Sequence, residues 1–259
     1  MSIKAYTLGS LIVCAAAVAA YGQATDAGAP TQPPKIWDAN AAVGLMLTKG
    51  NSDTLTVNAN VQAARKWDKN ELNLGANLTY GETTVYDKSL GKDVTTRSAN
   101  TYGGYAQYNR LFTERIFGFA RAQGLYDGLA DLDYRFTLSA GAGYYFIKNE
   151  KTSLRAEVGP GVVFEKYSGT EEDTYMTIRF AERWDQKFND RVKLWQAVEF
   201  LPQVDDWGRY VVNAELGVEI AITKHFSERT YFQDIYNSQP SAGRKQNDLK
   251  LVVALAYKF

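Results

Sequence analysis

The 259-residue chain has very little of what most catalytic or nucleic-acid-binding proteins are built on. It has one cysteine, Cys14, and one histidine, His225, so a cysteine- or histidine-rich metal site is excluded. There are only 6 prolines and 3 methionines. Neither charge is in excess: 29 Lys and Arg balance 29 Asp and Glu. With no basic surplus to neutralise phosphates, nucleic acid is not expected as a partner. Long apolar runs are missing beyond the first twenty residues, and the mean hydropathy is −0.34. That value argues against transmembrane helices but not against a membrane barrel, which spreads its apolar residues over every second position. What the chain does have is 17 Tyr, 12 Phe, 5 Trp and 21 Gly. Tyrosine outnumbers phenylalanine, as suits rings that keep a polar tip at a boundary.

Residues 1–24 have the layout of a secretory signal peptide. Lys4 supplies the basic start, Ala5 to Ala20 an apolar stretch, and Ala17, Ala19, Ala20, Gly22 and Ala24 offer small residues for cleavage. Cys14 lies deep in the apolar stretch after Val13, which is not the small residue of a lipoprotein signal, so it is expected to leave with the signal. Residues 25–36 (TDAGAPTQPPKI) read as a flexible periplasmic tail. Residues 37–259 then form a single domain with no further shift in composition.

That domain repeats one theme, an alternating segment followed by a polar turn. In 133–147, Tyr134, Phe136, Leu138, Ala140, Ala142, Tyr144 and Phe146 share one face; Arg135, Thr137, Ser139, Gly141, Gly143 and Tyr145 share the other. A strict period of two is the mark of a strand with one apolar and one polar face. The stretches 71–81, 210–222 and 249–259 do the same. Twelve such segments are predicted, at 37–49, 54–67, 71–85, 97–110, 115–127, 133–147, 152–165, 174–187, 191–204, 210–223, 228–237 and 247–259. The phase of 115–127 is ambiguous and that of 228–237 blurred; Pro160, between Gly159 and Gly161, predicts a bulge or kink.

The connections alternate as well. Five are short, an aromatic followed by a tight charged turn, as in Phe112-Thr113-Glu114-Arg115 and Phe188-Asn189-Asp190-Arg191. The others vary, from Gly50–Asp53 to Tyr86–Thr96 and Ser238–Gln246. Short turns at one end and variable loops at the other predict an all-β, antiparallel, up-and-down transmembrane β-barrel of about 12 strands. It would sit in the outer membrane of a Gram-negative-type envelope, its turns periplasmic and their aromatics at the lipid interface. A soluble β-sandwich would carry more Lys and Glu on its polar face, which is instead rich in Gly, Ser, Thr, Asn, Gln and Tyr.

A resemblance follows from several short stretches taken in order. Gly44-Leu45-Met46-Leu47-Thr48-Lys49-Gly50-Asn51-Ser52 is similar to the opening strand and Gly-Asn-Ser/Thr turn of a family of salt-stress-induced outer-membrane proteins catalogued as a domain of unknown function. Tyr126-Asp127 through Leu132-Asp133 and Arg135, Gly141-Ala142-Gly143-Tyr144, Glu157-Val158-Gly159, Asp248 and Tyr257-Lys258-Phe259 also resemble it. The resemblance implies an outer-membrane barrel and supplies no catalytic residues. Tyr257 and Phe259 look like the aromatic-ended signal that the barrel assembly machinery recognises.

Chemistry is sparse. His225 falls in a short turn without a serine beside it, and no Gly-x-Ser-x-Gly, phosphate loop or His-x-x-x-His spacing occurs. Glu171-Glu172-Asp173 and Asp205-Asp206 read as solvated acidic loops. No catalytic residue, metal or cofactor is expected. The informative charges are on the polar face: Arg135, Arg155, Arg179, Arg183 and Lys250, against Glu157, Glu165, Asp185, Glu215 and Glu219. Inside a barrel such charges must be paired or hydrated. Paired, they fill the lumen of a structural or envelope-stress barrel. Hydrated, they line a small, weakly selective porin or uptake channel for small hydrophilic solutes. An outer-membrane enzyme has the least support. Outer-membrane lipid is the expected surrounding; no solute and no oligomeric state can be read.

Overall fold

The computed structural model describes residues 37–48 and 52–259. The expectations for residues 1–24 and 25–36, and Gly50 and Asn51 of the Gly50–Asp53 loop, lie outside the described residues. Twelve strands follow one another. The first four are β1 (Asp38–Thr48), β2 (Ser52–Trp67), β3 (Asn70–Asp87) and β4 (Lys92–Leu111). Next come β5 (Ile116–Asp127), β6 (Leu132–Lys148), β7 (Thr152–Tyr167) and β8 (Asp173–Lys187). The last are β9 (Val192–Pro202), β10 (Tyr210–Ala221), β11 (Phe226–Asn237) and β12 (Asn247–Lys258). Each pairs antiparallel with the next, and β1 pairs with β12, so the sheet closes into a barrel without an edge. The closing ladder is short, running from Asn40↔Lys258 to Val43↔Leu255, whereas β1 and β2 pair from Asp38↔Ala64 to Thr48↔Thr54.

Paired residues share a face of the sheet, so the register carries the alternation from strand to strand. Leu249, Leu251, Val253 and Leu255 are 59, 69, 57 and 53% exposed on the outer wall of β12. Glu71, Gln107, Asn109, Glu157, Glu165, Thr177 and Arg179 are buried on the inner one. The wall is apolar outside and polar inside, the reverse of a protein folded in water and the arrangement that lipid requires.

The structure departs from the sequence expectation in two places and resolves two strands whose phase the sequence left open. Tyr86–Thr96 is not a loop: β3 and β4 continue past the expected ends, through Thr83↔Thr96, Thr84↔Thr95 and Val85↔Val94. β-branched rungs favour that extension, and Thr84 and Thr95 share a hydroxyl contact of 2.7 Å. Gly91, at φ +64°, closes the turn. Pro160 makes no bulge. The register is the same on both sides of it, Ser139↔Gly161 and Ala142↔Val158, with a break in the ladder between. Gly141 and Gly159 let the backbones close up there: a Cβ on Gly141 would lie 2.2 Å from the Val158 carbonyl oxygen. In β5 the phase is fixed by pairing: Phe117, Phe119, Arg121 and Gln123 face the lumen, opposite Gly143, Gly141, Ser139 and Thr137. The large rings fill space that the glycines leave. The alternation of β11 is blurred because Glu228, Thr230 and Asp234 sit on its outer face, in register with Ile220, Val218 and Ala214.

Candidate functional site

The lumen is where the sequence concentrates its polar chemistry. On β7, the inward residues Arg155, Glu157, Gly159, Gly161, Val163 and Glu165 alternate with lipid-facing Ala156, Val158, Pro160, Val162 and Phe164. Glu157 is the hub. Its carboxylate accepts hydrogen bonds from Arg179 Nη1 (2.6 Å) and Gln107 Nε2 (3.0 Å), and Arg155 Nε lies 3.3 Å away. Arg179 also donates from Nε to Glu199 (2.5 Å). Arg121 donates to Gln107 (3.1 Å) and lies 3.9 Å from Glu199. The two arginines cover rings, Arg179 that of Phe119 at 5.2 Å and Arg121 that of Tyr105 at 4.3 Å. Gln107 on β4 and Glu157 on β7 are three strands apart, and Arg121 on β5 and Glu199 on β9 are four. Contacts over such separations are chords across the lumen.

A second chord lies nearer the short turns. Glu71 on β3 accepts from Tyr145 on β6 (3.0 Å) and Asn109 on β4 (3.3 Å), with Lys66 Nζ at 3.6 Å. A third group lies toward the variable loops. Glu165 accepts from Arg135 Nε (2.6 Å) and Arg209 Nη2 (2.8 Å). Arg135 also donates to the Tyr167 hydroxyl (2.8 Å), which accepts from Asn237 on β11 (2.9 Å).

The remaining candidates pair locally. Arg183 and Asp185 meet along one strand at 2.9 and 3.0 Å, and Lys193 approaches Asp185 at 3.5 Å. Glu215 accepts from Trp195 Nε1 (2.5 Å). Glu219 accepts from Arg229 Nε (2.9 Å) and Ser227 (2.8 Å), and Arg229 reaches Asn40 (2.7 Å). Lys250 lies apart from these groups, opposite Gln233 on the inner face of β12.

The variable-loop mouth is bridged too. Arg244, in the loop joining β11 to β12, donates twice to the Asp131 carboxylate between β5 and β6, at 2.7 and 2.8 Å. Ser241 donates to the Ala130 carbonyl (3.2 Å). These two hairpins stand six places apart in a ring of twelve, so the clasp spans a diameter. The bidentate guanidinium holds the Asp131 carboxyl below the usual aspartate range and pushes Arg244 up.

Tyr257 and Phe259 lie on the outward phase of β12, packed edge to face at 5.1 Å, and the Phe259 amide donates to Ala39 (3.0 Å). His225 stacks on Tyr257 and places Nδ1 3.1 Å from the Lys258 carbonyl. Glu172 accepts from the Tyr134 hydroxyl and Asp173 pairs with Arg209, so that acidic loop is tied to the barrel. Among the described residues, no three His, Cys, Asp or Glu side chains are placed to hold a metal ion.

The profile of a family described as "Protein of unknown function, DUF481" matches residues 41–259. The chain belongs to this family. It is also similar to "Uncharacterized protein YdiY" of Escherichia coli (strain K12), 24% identical over 237 residues that cover 89% of this chain and 86% of YdiY. Among solved structures it is similar to the NanC porin, with a TM-score of 0.49 and 6% identity over 86% of this chain and 98% of that one. It is similar as well to an outer membrane channel from Pseudomonas putida F1, with a TM-score of 0.48 and 11% identity over 90% and 100% of the two chains.

Several members of this DUF481 barrel's network escape sequence reasoning. Glu71 looks like a turn residue, Arg121 sits in the strand of ambiguous phase, and Arg209 follows a loop. Gln107, Asn109 and Glu199 look ordinary on their own strands. A usable signal was present for Arg121: Phe117 and Phe119 can face inward only if Gly143 and Gly141 lie opposite, which fixes Arg121 inward as well.

Proposed function

We propose that the chain is exported on residues 1–24, recognised by the barrel assembly machinery through Tyr257 and Phe259, and inserted in the outer membrane. There it serves as a structural or envelope-stress barrel whose lumen is filled by its own side chains. One observation carries this proposal: Glu157, 5% exposed, ties β7 to β4 through Gln107 and to β8 through Arg179. A carboxylate so enclosed, held from β4 three strands away as well as from β8, supports a lumen filled by side chains at that level. The apolar outer wall supports the membrane placement. Single-channel recording tests the filled lumen. The parent is expected to be silent, with conductance appearing in Glu157→Gln; stable conductance in the parent would overturn it.

A second reading has support of its own. The inner faces of β2 and β3 carry Asn58, Asn60, Gln62, Asn73, Asn77 and Thr79, and Gln62 and Asn77 are exposed although they face the lumen. That wall suits a narrow hydrated path for small hydrophilic solutes with little charge selectivity. Conductance in the parent that is unaffected by Glu157→Gln is the result this reading expects.

A further inference from the structure

A carboxylate on the outer wall of β8 stands in the wrong solvent. In β8 the inward residues are Tyr175, Thr177, Arg179, Ala181, Arg183 and Asp185, which puts Glu182 on the outer wall between Phe180 and Trp184. Its cross-strand partners there are Ala156 on β7 and Val198 on β9. Glu182 is six residues from Phe188 at the short-turn end. At about 2.5 Å of height per residue for a tilted strand, that is about 15 Å into the wall, well within hydrocarbon. A carboxyl group at that depth needs a partner, because lipid tails offer none. Gln196, beside it on β9, donates one hydrogen bond to Oε2 at 2.8 Å. Among the described residues nothing donates to the other carboxylate oxygen, and the second amide hydrogen of Gln196 has no acceptor.

Glu182 lines a groove of about 720 Å³ in the outer wall, together with Ala142, Ala156 and Val198 and with Phe146, Phe180 and Phe200. Small residues between aromatic ridges let another wall approach closely. The spare acceptor and spare donor lie side by side, so the patch is complementary to itself. Turned through a two-fold axis, the Gln196 amide of each copy meets the Glu182 carboxyl of the other. A lone basic side chain from another protein would satisfy the carboxylate and leave the amide unpaired; an acyl chain would satisfy neither.

We propose that the outer wall of β7–β9 is an isologous interface at which two copies of this chain pair within the membrane through Glu182 and Gln196. The proposal rests on the membrane placement argued above. The test uses the full chain in outer membranes, with Val198→Cys at the expected axis and Val61→Cys on β2, across the barrel, as the control. Oxidation is expected to cross-link Val198→Cys into a dimer of this chain and to leave Val61→Cys monomeric. In detergent, sedimentation should show Glu182→Leu weakening the dimer at least about tenfold, and Glu182→Gln, which keeps the reciprocal hydrogen bonds, weakening it no more than about twofold. All variants should stay heat-modifiable on gels. Heat-modifiable Val198→Cys that fails to cross-link, or cross-links to a different protein, overturns the proposal. So do equal effects of the Leu and Gln variants. Loss of heat-modifiability or recovery in the soluble fraction in the parent itself would instead overturn the membrane placement.

Discussion

The two halves of the lumen obey the same alternation and yet are held together differently. From β4 to β9 the inner face carries long side chains, Gln107, Arg121, Arg155, Glu157, Arg179 and Glu199, which meet partners up to four strands away. From β10 round to β3 the inner face carries Ala42, Gly44, Asn58, Asn60, Gly75 and Asn77, which are too short to cross. Glu219 meets Arg229 and Asn58 meets Thr79 (2.9 Å) on adjacent strands, and it is the longer side chains there that go further, Arg229 to Asn40 two strands away and Glu71 to Tyr145 on β6. Lumen architecture is thus decided by reach: a period of two puts polar groups inside, and side-chain length decides whether they bind the wall together or leave it hydrated.

The largest expected effect that tests this contrast is Glu157→Gln. It removes the charge that Arg155 and Arg179 share in a buried setting, and the expected cost is about 3–5 kcal/mol in urea unfolding from lipid vesicles. A cost below about 1 kcal/mol would mean that water already screens the crossed half. Next is Gly143→Ala. The new Cβ would lie 2.2 Å from the ring of Phe117, which is fully buried and cannot swing away, so a loss of about 1–3 kcal/mol in the same assay is expected. Glu219→Gln probes the other half. Glu219 is a quarter exposed and water can take over from its partners, so the expected cost is about 1 kcal/mol or less. If it matched Glu157→Gln, the two halves would not differ.

The smallest expected effect is at the clasp, which is exposed. Arg244→Ala should leave unfolding unchanged and make the 238–246 loop easier to cleave by protease. Acid should act the same way. The Asp131 carboxyl is held below its ordinary value in the folded protein, so the clasp is at full strength above the ordinary aspartate range and fades as pH falls through the lowered value. Cleavage that is independent of pH in that range, or identical in Arg244→Ala, would show that the clasp does not hold the loop.

The strands and the inward phase of Arg135, Arg155, Glu157, Arg179 and Glu219 were legible because alternation is a local property. The partners were not, because a chord such as Gln107 to Glu157 depends on the stagger of three intervening ladders, and one of them, β6–β7, shifts register between Leu132 and Tyr134 and again between Tyr145 and Ile147. A single strand carries no trace of those shifts. Pro160 misled for a related reason. Alone it signals a bulge or kink, but the ladder breaks there without a change of register, where Gly141 and Gly159 let the backbones close up, and only the pairing reveals that. Glu182 was hidden by company: Arg179, Arg183 and Asp185 on the same strand make one more charge look like part of the inner face.

The short ladder between β1 and β12 sets an order of events in time. Its partners are separated by almost the entire barrel sequence, so bringing them together bears the largest loop-closure entropy of any pair in the sheet. Few rungs repay it, and past Val43↔Leu255 contact depends on Gly44, where a Cβ would lie 2.4 Å from the Val253 carbonyl oxygen. This seam is therefore the last to zip and the first to part. During insertion the chain would exist as an open, curling sheet whose two free margins are β1 and β12, and backbone amides along those margins should exchange with solvent deuterium sooner than those of any other pair of strands.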